Sequence, residues 1–277
     1  MNIYKGDFCL SFMSKTENFD AELAALWNLA SERLRNKLAY VNSLEELLRA
    51  NGITEKSMII DVAGGFGFPS IDLAKRGWQI NYMDGSPGML ERAMRNADIA
   101  GAPAYIFSFQ AVGYTSVTWQ NLKDGVQSRS FDALLCTGNS LPYAVSWGRE
   151  NANLSTVRKQ IISALNQFRR ILKKGGVAFI DKQPEAQEFA SEEIGEIELE
   201  GRKYSLTSVF RNDKERRIRN WTLRLKDLES GDTKEYPSTG YLLLEDELIP
   251  ILREVGFKGI EKHVLRGDIY EGFIVRK

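Results

Sequence analysis

From Met58 to Asp181 the chain alternates short apolar runs with amphipathic ones, and that order leaves few folds open. "SMIIDVA" reads as a strand and "PSIDLAKRG" as a helix with Pro69 in its first turn and Gly77 past its end. "WQINYMD" is a strand, and "SPGMLERAMRNADIAG" is a helix with Ser86 as N-cap and Pro87 behind it. "AYIFSFQA" and "FDALLCTG" are strands, "LSTVRKQIISALNQFRRILKKGG" is a long helix, and "VAFID" is a fifth strand. Strict alternation of this kind implies a parallel sheet with helices on both faces and right-handed crossovers.

On either side the texture differs. Residues 18 to 50 read as helix, with Leu23, Leu26, Trp27, Ala30, Leu34 and Leu38 at spacings of three and four, a second run at Leu44, Leu47 and Leu48, and Asn51-Gly52 as the stop. From about Ile194 to Leu244 polar and apolar residues alternate around the turn signals Arg211-Asn212-Asp213 and Ser230-Gly231-Asp232, the pattern of an antiparallel meander. "EDELIPILREVGF" returns to helix, and "GIEKHVLRG" and "YEGFIVRK" add two closing strands. The expected organisation is one domain: an arm and helices over 1–50, a core over 51–185 and 245–277, and an inserted β lid over 186–244.

The first strand runs into "MIIDVAGGFGFPS", where Gly64, Gly65 and Gly67 crowd a strand-to-helix turn. Glycine lets backbone N–H groups approach a ligand and take positive φ, at the carboxyl end of a strand where open α/β sheets bind. Asp84 ends the second strand and Gly85 follows it, so an acid stands where it can accept both hydroxyls of a ribose. A nucleoside-bearing cofactor follows from the pair. "GFGFPS" fits the dinucleotide pattern G-x-G-x-x-G only with Ser70 in the third glycine position. The alternatives are an S-adenosylmethionine loop, in which an acid such as Asp61 precedes the glycines, and a plain turn.

Composition removes other chemistries. The 277 residues hold one histidine, His263, and no G-x-S-x-G, which excludes a histidine metal site and a serine triad. His263 reads as a strand or surface residue. Cys9 and Cys136 are too far apart for a zinc or disulfide framework and suit a reducing compartment, so the expected location is the cytoplasm. Lys5 and Asp7 spoil the start as a secretion signal, and no apolar stretch is long enough to span a bilayer. Lys+Arg and Asp+Glu both number 37, so no net field draws the chain to nucleic acid or membrane. A small-molecule partner is expected, and homo-oligomerisation is left open.

Three motifs, "DVAGGFG", "YMDGSPGMLERA" and above all "FDALLCTGNS", resemble the glycine N-methyltransferase and glycine/sarcosine N-methyltransferase family of class I S-adenosylmethionine-dependent enzymes. The resemblance covers about Trp27 to Asp181. It implies a Rossmann-like fold with a mostly parallel seven-stranded sheet, S-adenosylmethionine as cofactor and S-adenosylhomocysteine as product. Residue by residue it implies that Asp61, Ala63, Gly64, Gly65 and Gly67 form the loop against the methionine half, and that Asp84 holds the ribose. Gly85, Met89, Ala111, Val112 and Gly113 then surround the adenine, with Val112 where the family has an acid. Cys136, Thr137, Gly138 and Asn139 end the fourth strand beneath the methyl. The family arginine that meets the cofactor carboxylate falls by counting at Asn36 or Lys37, and Lys37 is the candidate.

At the acceptor side the likeness fails. Where the glycine enzymes continue the fifth strand with a carboxylate-gripping arginine, this chain reads "DKQPEAQ", so Gln183 takes that position, and Tyr143 stands where the family tends to have histidine. Removing one partner of such a buried pair costs about 2 to 5 kcal/mol, which disfavours glycine as substrate. Asn139, Tyr143 and Gln183 are the candidate catalytic residues, and no metal is expected. The implied reaction is methyl transfer to a small-molecule amine. Transfer to oxygen or carbon, with Tyr143, Tyr4 or Glu185 as base, and a nicotinamide oxidoreductase are the alternatives. Trp119, Trp147 and Trp221 read as core or lid packing.

Overall fold

The structure is a computed structural model that describes residues 26–31, 33–84, 87–102, 107–109, 126–143, 154–185, 188–199 and 201–277. Five parallel strands lie in the order β3 (Phe107–Phe109), β2 (Gln79–Tyr82), β1 (Met58–Asp61), β4 (Phe131–Cys136), β5 (Leu172–Lys182). Beside β5 the sheet continues with β11 (Glu271–Arg276) and β10 (Lys258–His263), and β11 runs antiparallel to both neighbours. The seven-stranded, mostly parallel sheet is thus observed. Chain order reverses between β1 and β4, and the crevice of an open α/β sheet opens at such a point.

Helices cover both faces because each carries one apolar stripe. On α1 (Lys37–Ala50) the stripe is Tyr40, Val41, Leu44, Leu47 and Leu48, packed with α2 (Ser70–Lys75) and α3 (Pro87–Ala100) over Ile59, Ile80 and Leu135. On α4 (Leu154–Ile171) it is Val157, Ile161, Ala164, Leu165 and Phe168, packed with α5 (Glu245–Val255) on the other face over Ile60, Leu134 and Ile180. Each fully buried aliphatic side chain contributes about 1.5 to 3 kcal/mol, so these two layers hold the sheet that presents the loops.

A second sheet of four antiparallel strands, β6 (Phe189–Leu199), β7 (Arg202–Asp213), β8 (Ile218–Asp227) and β9 (Thr233–Tyr241), follows β5. It buries Leu206, Leu223, Leu225 and Tyr236 against Leu26 and Ala30 of a helical segment at residues 26–31. The meander is therefore present, but it starts at Phe189. Arg211-Asn212-Asp213 lies inside β7, and the turn comes at residues 214–217, where Arg217 takes φ 57°. In-register pairing of Arg211 with Asn220 and Asp213 with Ile218 outweighs the local turn preference of Asn and Asp.

Two further boundaries differ from the sequence reading. Residues 18–50 are not one helix: Asn36 interrupts the described part, and its side-chain oxygen accepts the Ala39 N–H at 3.1 Å to cap α1. The helix before the fifth strand stops at Ile171 rather than running through "LKKGG". Leu172 already pairs with Phe131, Lys173 bonds both Asp132 carboxylate oxygens at 2.8 and 2.9 Å, and Gly175 takes φ 78°, which a helix cannot accommodate. His263 lies on β10 beside Glu261.

Candidate active site

The glycine turn is built by its neighbours. Gly64 N–H donates to the Met83 carbonyl at 3.1 Å, so the turn stays hydrogen-bonded to the end of β2. Gly65 and Gly67 take φ 57° and 100°. A Cβ on Gly64 would stand 2.0 Å from the Tyr82 ring, and one on Gly67 2.4 Å from Ile71 Cδ1. On Gly65 it would meet nothing within 4 Å, so this backbone faces open space. Asp61, fully buried beneath the turn, accepts from Ser70 Oγ at 2.5 Å and from Ala63 N–H at 3.4 Å. Burial pushes its carboxyl up to about 7 against those two hydrogen bonds.

Asp84 follows β2 and accepts the Gly65 N–H at 2.8 Å, which brings the acid against the glycine turn. Met89 of α3 is buried, and Asn96 of the same helix donates to the Phe66 carbonyl at 2.9 Å. Lys37, at the start of α1, sets its ammonium 5.5 Å from the Phe68 ring and 6.0 Å from the Phe66 ring, over the turn. Gly85, Ala111, Val112 and Gly113 lie outside the described residues, as do Tyr4, Trp119 and Trp147.

At the end of β4 the Cys136 side chain is buried in the core cluster, and burial raises its thiol well above the usual range. Beyond it the backbone of Gly138 (φ 79°) and Asn139 (φ 56°) turns over Asp181. The Asp181 carboxylate accepts Gly138 N–H at 2.8 Å and Asn139 N–H at 2.6 Å. Burial and the Asp268 carboxylate push Asp181 up to about 8. Asn139 Oδ1 accepts the Gln183 N–H at 3.0 Å, and the Thr137 carbonyl accepts from Ser140 Oγ at 2.6 Å. Tyr143 closes a 3-10 turn at Leu141–Tyr143. Lys182 is buried and bonds Glu185 at 2.8 Å and Glu271 at 3.4 Å.

A cavity of about 270 Å³ opens beside these residues, close to the lower end of small-molecule sites at about 300 Å³. Gly138, Asn139, Gln183 and Tyr270 line it from the seven-stranded sheet and its loops; Phe210, Arg219 and Trp221 line it from the second sheet, and Trp27 from the helical segment. Trp221 is thus a cavity wall as well as packing: its ring meets Trp27 edge-on at 5.0 Å, and its Nε1–H donates to Ser208 at 2.9 Å. Sequence reasoning missed Arg219 and Tyr270. It also missed Arg35, which pairs with Asp268 at 3.1 Å and covers the Tyr270 ring at 4.9 Å. The only available signal for Arg219 was its place on an alternating strand.

Residues 60–180, from β1 to near the end of β5, match the model of a methyltransferase domain. The likeness is to class I, S-adenosylmethionine-dependent methyltransferases. Around this domain the chain is 30% identical over 123 residues to the glycine/sarcosine N-methyltransferase of Parasynechococcus marenigrum, covering 44% of this chain and 36% of that protein. It is 26% identical to the glycine/sarcosine N-methyltransferase of Aphanothece halophytica over 78% of this chain and 70% of that one. Among solved structures, the amino pentose methyltransferase CalS10 of Micromonospora echinaspora, with S-adenosylmethionine bound, superposes with a TM-score of 0.62. That match has 16% identity and covers 89% of this chain and 94% of CalS10, a likeness of fold. The chain spans about a third of the length of the first relative.

Proposed function

We propose that this chain transfers a methyl group from S-adenosylmethionine to a nitrogen of a small-molecule amine. The observation that carries the reading is the junction of the Gly64–Gly67 turn with Asp84 at the sheet's switch point, together with a cavity walled by Asn139. The residues fit the cofactor: open space above Gly65, a carboxylate at Asp84 for the ribose hydroxyls, the buried Met89 for the adenine, and Lys37 for the carboxylate. When bound, the cofactor supplies an electrophilic methyl group.

The protein's own part is alignment and exclusion of water. Asp181 fixes the Gly138–Asn139 turn, Asn139 orients the Gln183 backbone, and the two indoles and the Tyr270 ring give the cavity apolar walls. Nitrogen is favoured over oxygen or carbon because a neutral amine needs no base. Among the described lining residues the one carboxylate is Glu192, which is exposed, and the one phenol is Tyr270, which burial pushes upward, so neither stands as a ready base inside the cavity. The second sheet acts as the lid over the cavity.

The experiment is a thermal shift with S-adenosylhomocysteine followed by its enzymatic detection during incubation of S-adenosylmethionine with paired amines and alcohols. A rise in melting temperature and product from amines alone support the reading. No shift at millimolar S-adenosylhomocysteine refutes the cofactor, and product from alcohols refutes the nitrogen.

A further inference from the structure

Three cations are buried among the described residues: Arg35, Lys182 and Arg219. Two of them have carboxylates: Arg35 meets Asp268 at 3.1 Å, and Lys182 meets Glu185 at 2.8 Å and Glu271 at 3.4 Å. Arg219, 6% exposed, has none among the described residues. Its Nη1 donates to the neutral Asn212 amide at 3.1 Å, and its guanidinium lies 4.5 Å over the Phe210 ring. A guanidinium does not shed its proton, so burying it without a counter-charge is costly unless an anion completes the site. Arg219 lines the same cavity as Asn139, reaching it from β8 of the other sheet. Among the described residues Glu192 is the one carboxylate that lines this cavity, and it is exposed.

We propose that Arg219 is the anion subsite of the acceptor pocket, and that the acceptor carries a carboxylate on an apolar or aromatic body. The planar fork of a guanidinium matches a carboxylate through paired N–H···O bonds, and Asn212 and Phe210 hold the fork in one plane. The cavity that Arg219 shares with the turn at Asn139 is also lined by Trp27, Trp221 and Tyr270, which suit a flat apolar body. The charge that Gln183 does not offer at the end of β5 is thereby supplied from the second sheet. This inference rests on the methyltransferase reading for the identity of the pocket as an acceptor site.

The test measures affinity of the full chain, loaded with S-adenosylhomocysteine, for matched pairs: phenylacetate against phenylacetamide, and N-phenylglycine against its amide. The expected result is that each acid binds about ten- to a hundredfold more tightly than its amide. Arg219→Met equalises the pair and Arg219→Lys restores part of the preference, with the S-adenosylhomocysteine shift unchanged in both. Should Arg219→Met fail to fold, the acid-to-amide ratio on the unaltered chain still decides. Equal affinities, or no binding of either acid at millimolar concentration, overturn the inference. A chain that ignores S-adenosylhomocysteine yet prefers the acids through Arg219 would sink the cofactor reading and keep the anion subsite. One that binds S-adenosylhomocysteine and takes acid and amide alike would do the reverse.

Discussion

Asn139 Oδ1 accepts the backbone N–H of Gln183 at 3.0 Å, locking the end of β4 to the end of β5 across the mouth of the cavity. Asn139 does this from a left-handed backbone position, φ 56°, that asparagine tolerates better than most residues. Its replacement therefore strips a partner from a part-buried N–H and strains the turn together. Asn139→Ala is expected to lower stability by about 1 to 3 kcal/mol in urea denaturation. Asn139→Gly, which relieves φ but not the lost acceptor, should recover only part of that.

The contact between Asp84 and Gly65 predicts a cofactor phenotype. Asp84→Ala is expected to weaken S-adenosylhomocysteine about a hundredfold in calorimetry, the equivalent of one or two lost charge-assisted hydrogen bonds. Gly65→Arg, placed where a Cβ meets open space, should fill that space and abolish binding while the chain stays folded by circular dichroism. Unchanged binding in both variants would refute the assigned site.

Gly64 answers to Tyr82 rather than to a ligand. Gly64→Ala forces a methyl to within 2.0 Å of the Tyr82 ring and is expected to cost about 1 to 3 kcal/mol in stability. Adding Tyr82→Leu should return part of the loss, since it removes the clashing ring. If the double variant is no more stable than Gly64→Ala, the packing account is wrong.

Asp61 and Asp181 predict an unusual pH trend. Both carboxyls are raised in the folded chain, to about 7 and about 8, chiefly by burial. The folded state then keeps protons that the unfolded state releases above about pH 4, so stability declines as pH rises from there through 7 and 8. The Asp61 share is about 4 kcal/mol at most. Denaturation midpoints measured from pH 4 to 9 should fall, and Asp61→Asn should flatten the decline up to about pH 7.

Arg35 sits between Asp268 and the Tyr270 ring with its charge matched at 3.1 Å. Arg35→Met leaves Asp268 without its paired cation and is expected to destabilise the chain by about 3 to 5 kcal/mol. Arg35→Met with Asp268→Asn should be milder than the single variant, because the stranded charge goes as well.

What the sequence disclosed, it disclosed through local rules. Gly64, Gly65, Gly67 and Asp84 stand next to strand ends, and backbone sterics alone mark such positions. The sheet was legible from periodicity for the same reason. Arg219 was not, because a strand pattern tells that alternate residues share a face but not what that face meets; here pairing Asn212 with Arg219 and docking the sheet beside Asn139 decide it. Arg35 was not singled out, because its partner Asp268 lies 233 residues away. Asp181 could be read as a strand residue, but nothing nearby announces that it would receive the Gly138 and Asn139 N–H groups.

The walls of the cavity come from two sheets whose strands do not pair with one another. The described residues that would grip the nucleoside, Asp84 and Met89, lie before β4, whereas Phe210, Arg219 and Trp221 belong to a segment that leaves the core after Lys182 and rejoins it at Glu245. Inheritance can act on these parts separately. Paralogues that preserve the first can diverge in diet by editing the second, and chimaeras that exchange Phe189–Tyr241 should trade preference for one metabolite against another without relearning how to hold the donor.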